Sequence, residues 1–307
     1  MGVPTRSRSS AAPPKEISRG NRQQELPLEV PDRERATQVE LGQHPSAFLP
    51  EYECAYRTPA GAAYVGDSRD LMAKLLAAGA KVDLVVTSPP YALEFQKQYG
   101  NVSKDEYVEW FRPFGRLIYE LLAPTGSFVL NIGGSWNPGS PTRSLYHFKT
   151  LLMLCEEVGF HLAQELFWYN PAKLPAPAEW VNLRRIRVKD SVEYIWWLSK
   201  SEFPKANNRN VLVEYSPDML RILERGYRPK VRPSGHRITG KFRNHQGGAI
   251  PPNLLGREPE TLIERGNNES NSVYISRCRE RGYEPHPARF PAALPEFFIR
   301  MLTDPGD

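Results

Sequence analysis

The chain has 307 residues, of which 40% are hydrophobic and 24% charged, a composition that suits one large or two small globular domains. Its apolar runs are all shorter than the roughly 18 residues of a membrane-spanning helix, and the amino terminus lacks the apolar core of a secretory signal. Cys54, Cys155 and Cys278 are widely spaced, which predicts free thiols in a reducing compartment such as the cytoplasm and no metal site.

The positive charge is concentrated in one region. The whole chain carries a net charge of +5, with a pI of about 9.0. Residues 184–245 hold 15 Lys and Arg against 6 Asp and Glu, a local net charge of +9 that leaves −4 for the rest. A basic region of this kind favours a polyanionic partner such as nucleic acid.

Residues 62–83 predict a strand, a tight turn and a helix. Gly66 permits the turn, and either Asp67 or Ser68 can cap the helix that follows. Before this unit, residues 1–45 are rich in Arg, Pro, Ser, Gln and Glu without a hydrophobic period. They predict a disordered tail, for which weak electrostatic contact with DNA stays open.

The next segment, VDLVVTSPPY at residues 82–91, is the most informative in the chain. Its apolar and β-branched residues predict a strand buried on both faces, and Pro89-Pro90 removes two backbone donors where the strand must stop. Ligands bind at the carboxyl ends of strands in open parallel α/β sheets. We therefore expect residues 88–91 to form a site.

Residues 88–91 suit chemistry at the exocyclic amine of a nucleobase. The lone pair of that nitrogen is delocalised into the ring, so a catalyst must hold its hydrogens with acceptors, here Ser88 Oγ and the Pro89 carbonyl. Pro90 would shape the turn. Tyr91 would stack on a base flipped out of the duplex. The alternative is a strand ending in a Pro-Pro turn with an ordinary packed tyrosine.

Further helices are predicted over residues 104–122 and 146–158, and strands over residues 127–132, 161–169 and 191–200. Gly133-Gly134 follows the strand predicted over residues 127–132, but prolines rather than a helix come next, which argues against a cofactor-binding glycine loop. Trp168 and Tyr169 could lie near a target base, although core packing explains them equally well.

Residues 201–285 are rich in Gly, Pro, Asn and Arg and show little regular period, which is typical of a functional irregular region. Their cations could neutralise phosphates while polar side chains reach base edges in the major groove. A solvated basic face is the alternative. The candidate DNA-binding residues are Arg232, His236, Arg237, Lys241, Arg243 and Asn244.

The Ser-Pro-Pro-Tyr tip resembles motif IV of the amino-methylating DNA methyltransferases, which use S-adenosylmethionine. In that family a serine at the first position goes with N4 of cytosine and an aspartate with N6 of adenine, so Ser88 implies cytosine. The Gly-Asp-Ser element resembles the family segment beside the adenosyl group, which implies that Asp67 and Ser68 bind the cofactor. A helix N-cap is the plainer interpretation of Asp67.

The final stretch, HPARFPAALPEFFIRML, resembles motif X of the same family and predicts a helix over residues 294–302. The resemblance implies a wall against the methionine part of the cofactor, built from His286, Pro287, Ala288, Phe290 and Pro291. The alternative is that these residues form a packed loop before a surface helix and do not contact a cofactor.

The order of these motifs resembles the circularly permuted β arrangement of the family. It implies a Rossmann-like α/β methyltransferase sheet with catalytic residues 46–200, an inserted irregular target-recognition region at 201–285, and the start of a cofactor-binding part at 286–307. In the family, motif X leads into Asp-x-Phe-x-Gly-x-Gly, which this sequence does not reach. We therefore expect either a fragment or an enzyme completed by a second polypeptide.

The implied function is a site-specific cytosine-N4 methyltransferase acting on double-stranded DNA in a restriction-modification system. N6-adenine methylation and a non-catalytic DNA-binding fragment remain alternatives. The absence of a Pro-Cys pair argues against carbon-5 methylation, which needs a thiolate nucleophile.

Overall fold

The computed structural model describes residues 44–93, 100–171, 173–227, 244–256, 273–282 and 291–307, together with residues 231, 233, 235, 284 and 289. The predicted tail lies almost wholly outside this part of the chain. Within it, no helix is long and apolar enough to cross a membrane.

Among the described residues, seven strands form two sheets. A short antiparallel pair consists of β1 (Tyr56–Thr58) and β2 (Gly61–Ala63). The main sheet contains β3 (Val82–Thr87), β4 (Leu122–Ile132), β5 (His161–Tyr169), β6 (Val192–Ser199) and β7 (Leu254–Leu255). Its order is β3-β4-β6-β5-β7. β3 is parallel to β4 and β7 to β5, while β6 runs antiparallel to both of its neighbours.

The described helices are α1 (Ser68–Ala77), α2 (Tyr107–Leu121), α3 (Tyr146–Leu152), α4 (Pro217–Arg225), α5 (Val273–Glu280) and α6 (Ala293–Leu302). Short 3-10 helices span Pro45–Phe48 and Asn208–Val211, and π-helical turns span Met153–Val158 and Glu179–Leu183.

Apolar clusters cover both faces of the main sheet. On one face, α2 contributes Tyr107, Phe111 and Ile118, whose spacing puts them on one side of the helix, against Phe128 and Leu130 of β4. On the other face, α6 packs its Leu294, Phe297, Phe298 and Leu302 against the opposite side of β3, β4 and β6. These two layers hold the strand ends in fixed positions.

β3 is covered on both faces, as predicted, but less deeply than expected. Leu84 and Val86 pack against the cluster that contains α6, and Val85 packs against the cluster that contains α2. Every residue of β3 nevertheless keeps an intermediate exposure. The reason is that β4 is the one strand hydrogen-bonded to it among the described residues, so its other edge is not screened.

The predicted core elements are confirmed with small differences at their ends. β5 matches residues 161–169, while β4 begins five residues before the expected start of its strand at residue 127. The strand expected before Gly66 is β2, which pairs with β1 outside the main sheet and ends before Val65.

The prediction of an irregular stretch over residues 201–285 is wrong in part. α4 and α5 both lie within it, and β7 joins it to the main sheet. Recognisable signals begin and end α4: the Ser216 side chain caps the helix, Pro217 occupies its first turn, and Gly226 follows with a positive φ of 78°. A high content of Gly, Pro and Asn concealed these local signals.

Candidate active site at the end of the third strand

The Ser-Pro-Pro-Tyr tip lies directly after β3. The strand ends at Thr87, since Pro89 and Pro90 have no amide hydrogen with which to continue a ladder. The backbone then turns, with the Leu93 amide donating to the Tyr91 carbonyl at 2.8 Å. Ser88 and Tyr91 lie side by side at the carboxyl end of the strand.

Four polar side chains meet behind the tip in a group that we call the hydroxyl cluster: Ser88, Tyr91, Asn131 and Glu193. Ser88 Oγ donates to Tyr91 Oη at 3.2 Å. Tyr91 Oη lies 2.9 Å from Glu193 Oε2 and 3.2 Å from Asn131 Oδ1. Tyrosine has one hydroxyl proton, and the closer carboxylate oxygen is the stronger acceptor.

The pairing of β4 with β6 assembles this cluster. Asn131 is the penultimate residue of β4 and Glu193 the second residue of β6, and the two strands pair antiparallel with Ile132 opposite Tyr194. The carboxyl end of β4 therefore meets the amino end of β6. Asn131 is 1% exposed and Glu193 8% exposed, and the Asn131 amide donates to the Tyr194 carbonyl at 3.1 Å.

Lys173 supplies a cation to the cluster. Its ammonium group lies 3.4 Å from Glu193 Oε1 and donates to the Val192 carbonyl at 3.1 Å. A positive charge in contact with a nearly buried carboxylate offsets part of the cost of removing that carboxylate from water.

The Tyr91 ring packs closely against the turn after β4. A Cβ atom at Gly133 would lie 2.5 Å from Tyr91 Cε2, so only glycine fits there without a shift of the ring. The Tyr146 hydroxyl donates to the Gly133 carbonyl. Burial first, and the Glu193 carboxylate second, raise the pKa of Tyr91 well above its usual value, so this phenol stays protonated.

The structure thus brings Ser88 and Tyr91 together and directs the Tyr91 hydroxyl inward. Tyr91 as a whole is only partly buried. Its stacking on a flipped base stays a prediction. Trp168, by contrast, is 1% exposed inside the apolar core, so core packing explains this residue.

A second group, which we call the arginine rim, lies beside the same strand ends and consists of Trp136, Arg143 and residues 183–189. The Arg187 guanidinium lies 3.6 Å and the Arg143 guanidinium 4.7 Å from the centre of the Trp136 ring. Arg143 also donates from Nη1 to both oxygens of Asp190 at 2.9 Å. The rim therefore consists of cations stacked on an aromatic ring.

Residues 183–189 combine apolar and basic side chains that are largely exposed. Leu183 is 74% exposed and Val188 86% exposed, and Arg184 and Arg185 are exposed as well. An exposed strip of cations and apolar groups beside the candidate site has the chemistry of a surface for nucleic acid.

Asp67 is the N-cap of α1, as the sequence allowed. Its carboxylate accepts from the Arg69 amide at 2.9 Å and from the Arg69 guanidinium at 2.6 Å. These two bonds lower the pKa of Asp67 to about 2. Ser68 is the first residue of α1. The side chain of Asp67 is 38% exposed, and its oxygens have further acceptor capacity for a ligand.

Several predicted site residues lie outside the part of the chain that the structure describes. In the motif X segment these are His286, Pro287, Ala288 and Phe290; Pro291 is described, and its carbonyl accepts the Leu294 amide at the start of α6. Among the candidate DNA-binding residues, Asn244 is described and exposed. The others are outside, namely Arg232, His236, Arg237, Lys241 and Arg243.

Sequence analysis missed Asn131, Lys173 and Glu193. A signal for Glu193 did exist, since it is the one charged residue of the aromatic and β-branched strand VEYIWWLS. A charge inside such a strand indicates a specific partner, because an unpaired buried carboxylate is costly. The identity of that partner depended on strand pairing.

Together, the mixed α/β sheet and the serine-proline tip at a strand end define a protein of the nucleic-acid amino-methyltransferase class. Comparison with known families agrees: residues 82–307 match the model of the N6/N4 DNA methylases, described as "DNA methylase". The chain belongs to this family.

Individual relatives support the same assignment. Type II methyltransferase M.PvuII from Proteus hauseri is 48% identical over 256 residues, which cover 82% of this chain and 73% of that protein. M.SfiI from Streptomyces fimbriatus is 34% identical over 164 residues, covering 47% of this chain and 37% of that protein. The solved structure of PvuII DNA methyltransferase (cytosine-N4-specific) superposes with a TM-score of 0.59 at 40% identity, over 83% of this chain and 75% of that one.

Proposed function

We propose that this protein transfers a methyl group from S-adenosylmethionine to N4 of cytosine in double-stranded DNA, as the modification enzyme of a restriction-modification system. The observation that carries this proposal is the serine of the tip at the end of β3, in a chain 48% identical to a type II methyltransferase. The structural relative with a TM-score of 0.59 is named as cytosine-N4-specific.

The tip residues would activate the amine without a covalent intermediate. Ser88 Oγ donates its own proton to Tyr91, so its lone pairs are free to accept a hydrogen from an incoming amine. The Pro89 carbonyl would accept the second hydrogen. Holding both hydrogens lets the nitrogen pyramidalise and concentrates its lone pair on the reacting side.

S-adenosylmethionine, when bound, supplies an electrophilic methyl group on a sulfonium. The residues described on its proposed side fit such a ligand in their chemistry. Asp67 is ionised at neutral pH and exposed, so it can accept a hydrogen bond from the adenosyl part. Pro291 would contribute to the wall for the methionine part, together with His286, Pro287, Ala288 and Phe290.

DNA contact is proposed for two surfaces. The arginine rim lies beside the catalytic tip and would neutralise phosphates flanking the target base. The candidates from the basic region, including Asn244, would read base edges or phosphates further along the duplex. A second polypeptide that completes the cofactor site stays a prediction.

Transfer of tritiated methyl from S-adenosylmethionine to duplex DNA tests the proposal. The purified protein should label DNA, whereas Ser88→Ala should bind the same duplex with little labelling. Labelling of neither sample, with DNA binding intact, would favour the non-catalytic alternative. N6-adenine methylation would give labelled DNA too, and the identity of the modified nucleoside separates it from cytosine-N4 methylation.

A further inference from the structure

The hydroxyl cluster forms a directed chain of hydrogen bonds. Ser88 Oγ donates to Tyr91 Oη at 3.2 Å, and Tyr91 Oη lies 2.9 Å from Glu193 Oε2. Each hydroxyl can thus accept a proton from one side and donate its own proton to the other. The chain starts at the tip of β3 and ends at a carboxylate that is 8% exposed.

From this arrangement we propose that Glu193 is the terminal proton acceptor of a relay through Tyr91 and Ser88. The inference rests on the proposed function, since it assigns a destination to the proton that the amine loses. Glu193 acts through the two hydroxyls and touches no reacting atom, so it is a positioning residue that also receives the proton.

The reaction requires such an acceptor. Methylation forms a bond between the amine nitrogen and the methyl carbon and breaks the bond between that carbon and the sulfonium sulfur. The sulfonium becomes a neutral thioether, and the nitrogen must lose one proton. In the relay this proton passes to Ser88 Oγ, the Ser88 proton passes to Tyr91 Oη, and the Tyr91 proton passes to Glu193. Reversal of the path after product release returns the proton to water.

The other polar partner of Tyr91 cannot end the relay. Asn131 is an amide, which accepts a hydrogen bond but does not take up a proton near neutral pH. Its amide nitrogen is fixed on the Tyr194 carbonyl, so its oxygen faces Tyr91 and helps to hold the phenol in line with Glu193. The carboxylate is the acceptor of suitable chemistry within reach of Tyr91 Oη.

The surroundings keep the relay in one arrangement. Lys173 contacts the second oxygen of the carboxylate at 3.4 Å, which leaves Oε2 for Tyr91. The Tyr91 ring is confined by Gly133, and Tyr146 holds the Gly133 carbonyl. The phenol therefore has a fixed position between its donor and its acceptor.

The decisive variant is Glu193→Gln in the full chain. Glutamine has nearly the same shape and still accepts a hydrogen bond from Tyr91, but it cannot take up the proton. With saturating DNA and donor, we expect single-turnover methyl transfer to fall about 100-fold, within the usual range for a positioned proton acceptor, with DNA affinity unchanged. Glu165→Gln, an exposed position on β5, is the matched control and should keep the wild-type rate.

Tyr91→Phe tests the middle of the relay. It keeps the ring against Gly133 and removes the hydroxyl, so it should slow transfer by a factor similar to that of Glu193→Gln. The double variant should be no slower than either single variant, because one break already interrupts the relay. Multiplied losses in the double variant would overturn the proposal, and so would a wild-type rate in Glu193→Gln.

A second readout does not depend on turnover. NMR spectra are recorded on protein that carries 13C at the tyrosine Cζ atoms, in the absence of S-adenosylmethionine. The signal that is missing from the Tyr91→Phe spectrum belongs to Tyr91. We expect it to move in Glu193→Gln and to stay in place in Glu165→Gln, and an unmoved signal would overturn the relay. Failure of wild-type protein to methylate cytosine would instead count against the proposed function, so the two failures are distinguishable.

Discussion

The hydroxyl cluster and the arginine rim lie beside the same strand ends but are built in opposite ways. In the cluster, the buried side chains of Asn131 and Glu193 hold the Tyr91 hydroxyl at fixed distances. In the rim, the guanidinium groups of Arg143 and Arg187 stack on the Trp136 ring, and Arg184 and Arg185 are exposed. This difference separates the work of the two regions: substitutions in the cluster should alter the rate of chemistry, and substitutions in the rim should alter binding.

Ser88→Ala should give the largest effect and would most readily break this separation. Loss of the hydroxyl removes both the acceptor for the amine and the first member of the cluster. We expect methyl transfer to fall roughly 100- to 1,000-fold with the dissociation constant for DNA changed less than about twofold. Single-turnover kinetics and a binding titration measure the two quantities. A weakened DNA complex with an unchanged maximal rate would assign Ser88 to binding.

The buried side chain of His147 should make the stability of the protein depend on pH. It is 0% exposed among aromatic rings, and neither ring nitrogen has a hydrogen-bond partner among the described residues. Burial, with a smaller contribution from Arg143, lowers the pKa of His147 to about 4. In the unfolded chain, His147 takes up a proton as the pH falls below about 6.5, whereas in the folded chain it stays neutral until the pH approaches 4. The contribution of neutral His147 to folding stability is therefore complete above pH 6.5 and is lost as the pH falls toward 4.

The expected loss is up to about 3 kcal/mol over that interval. Urea denaturation at pH 7.5 and pH 5 should show a larger decrease for wild type than for His147→Leu, which carries no titratable group. His161→Gln, at an exposed position on β5, is the control and should behave like wild type. Equal decreases in wild type and His147→Leu would show that another group causes the pH dependence.

Gly133→Ala tests whether the close packing of the Tyr91 ring in the hydroxyl cluster is needed for stability and methyl transfer. The new Cβ would lie 2.5 Å from Tyr91 Cε2, so the ring must move and its hydroxyl must leave Glu193 or Ser88. We expect a loss of about 1–3 kcal/mol in stability and slower methyl transfer. Thermal denaturation and turnover measure the two effects.

Gly66→Ala is the matched control for stability, because its Cβ would meet Leu71 Cδ1 at 3.6 Å, an ordinary contact. If Gly133→Ala were as stable as this control and as active as wild type, the close packing of Tyr91 would have no functional consequence.

Arg185→Gln should have the smallest effect and concerns the rim. Loss of one phosphate contact should lower the slope of log affinity against log salt by about one unit, with the maximal rate unchanged. Lys74→Gln on α1 removes the same charge elsewhere and should leave the slope as it is. If both variants behaved alike, the rim would contribute only through net charge.

The parts of this molecule that the sequence predicted well depend on local signals. The apolar run before Pro89-Pro90 indicated β3 and its end, and apolar periodicity indicated α2 and α6. The cluster behind the tip could not be predicted in this way. Its central contact joins Tyr91 to Glu193 across 102 positions of sequence, and it exists because β4 and β6 pair in one particular register.

Residues 201–285 show the converse. Local signals for α4 were present at Ser216 and Pro217, yet a composition rich in Gly, Pro and Asn suggested irregular structure throughout. Capping signals are more informative than composition there, because a helix of nine residues depends on its ends.

The most direct test of the central claim identifies the methylated nucleoside. Duplex DNA treated with the protein and S-adenosylmethionine is digested to nucleosides, and the products are separated and weighed by mass spectrometry. The account predicts N4-methyldeoxycytidine in wild-type samples and its near absence with Ser88→Ala. N6-methyldeoxyadenosine as the sole product would contradict it.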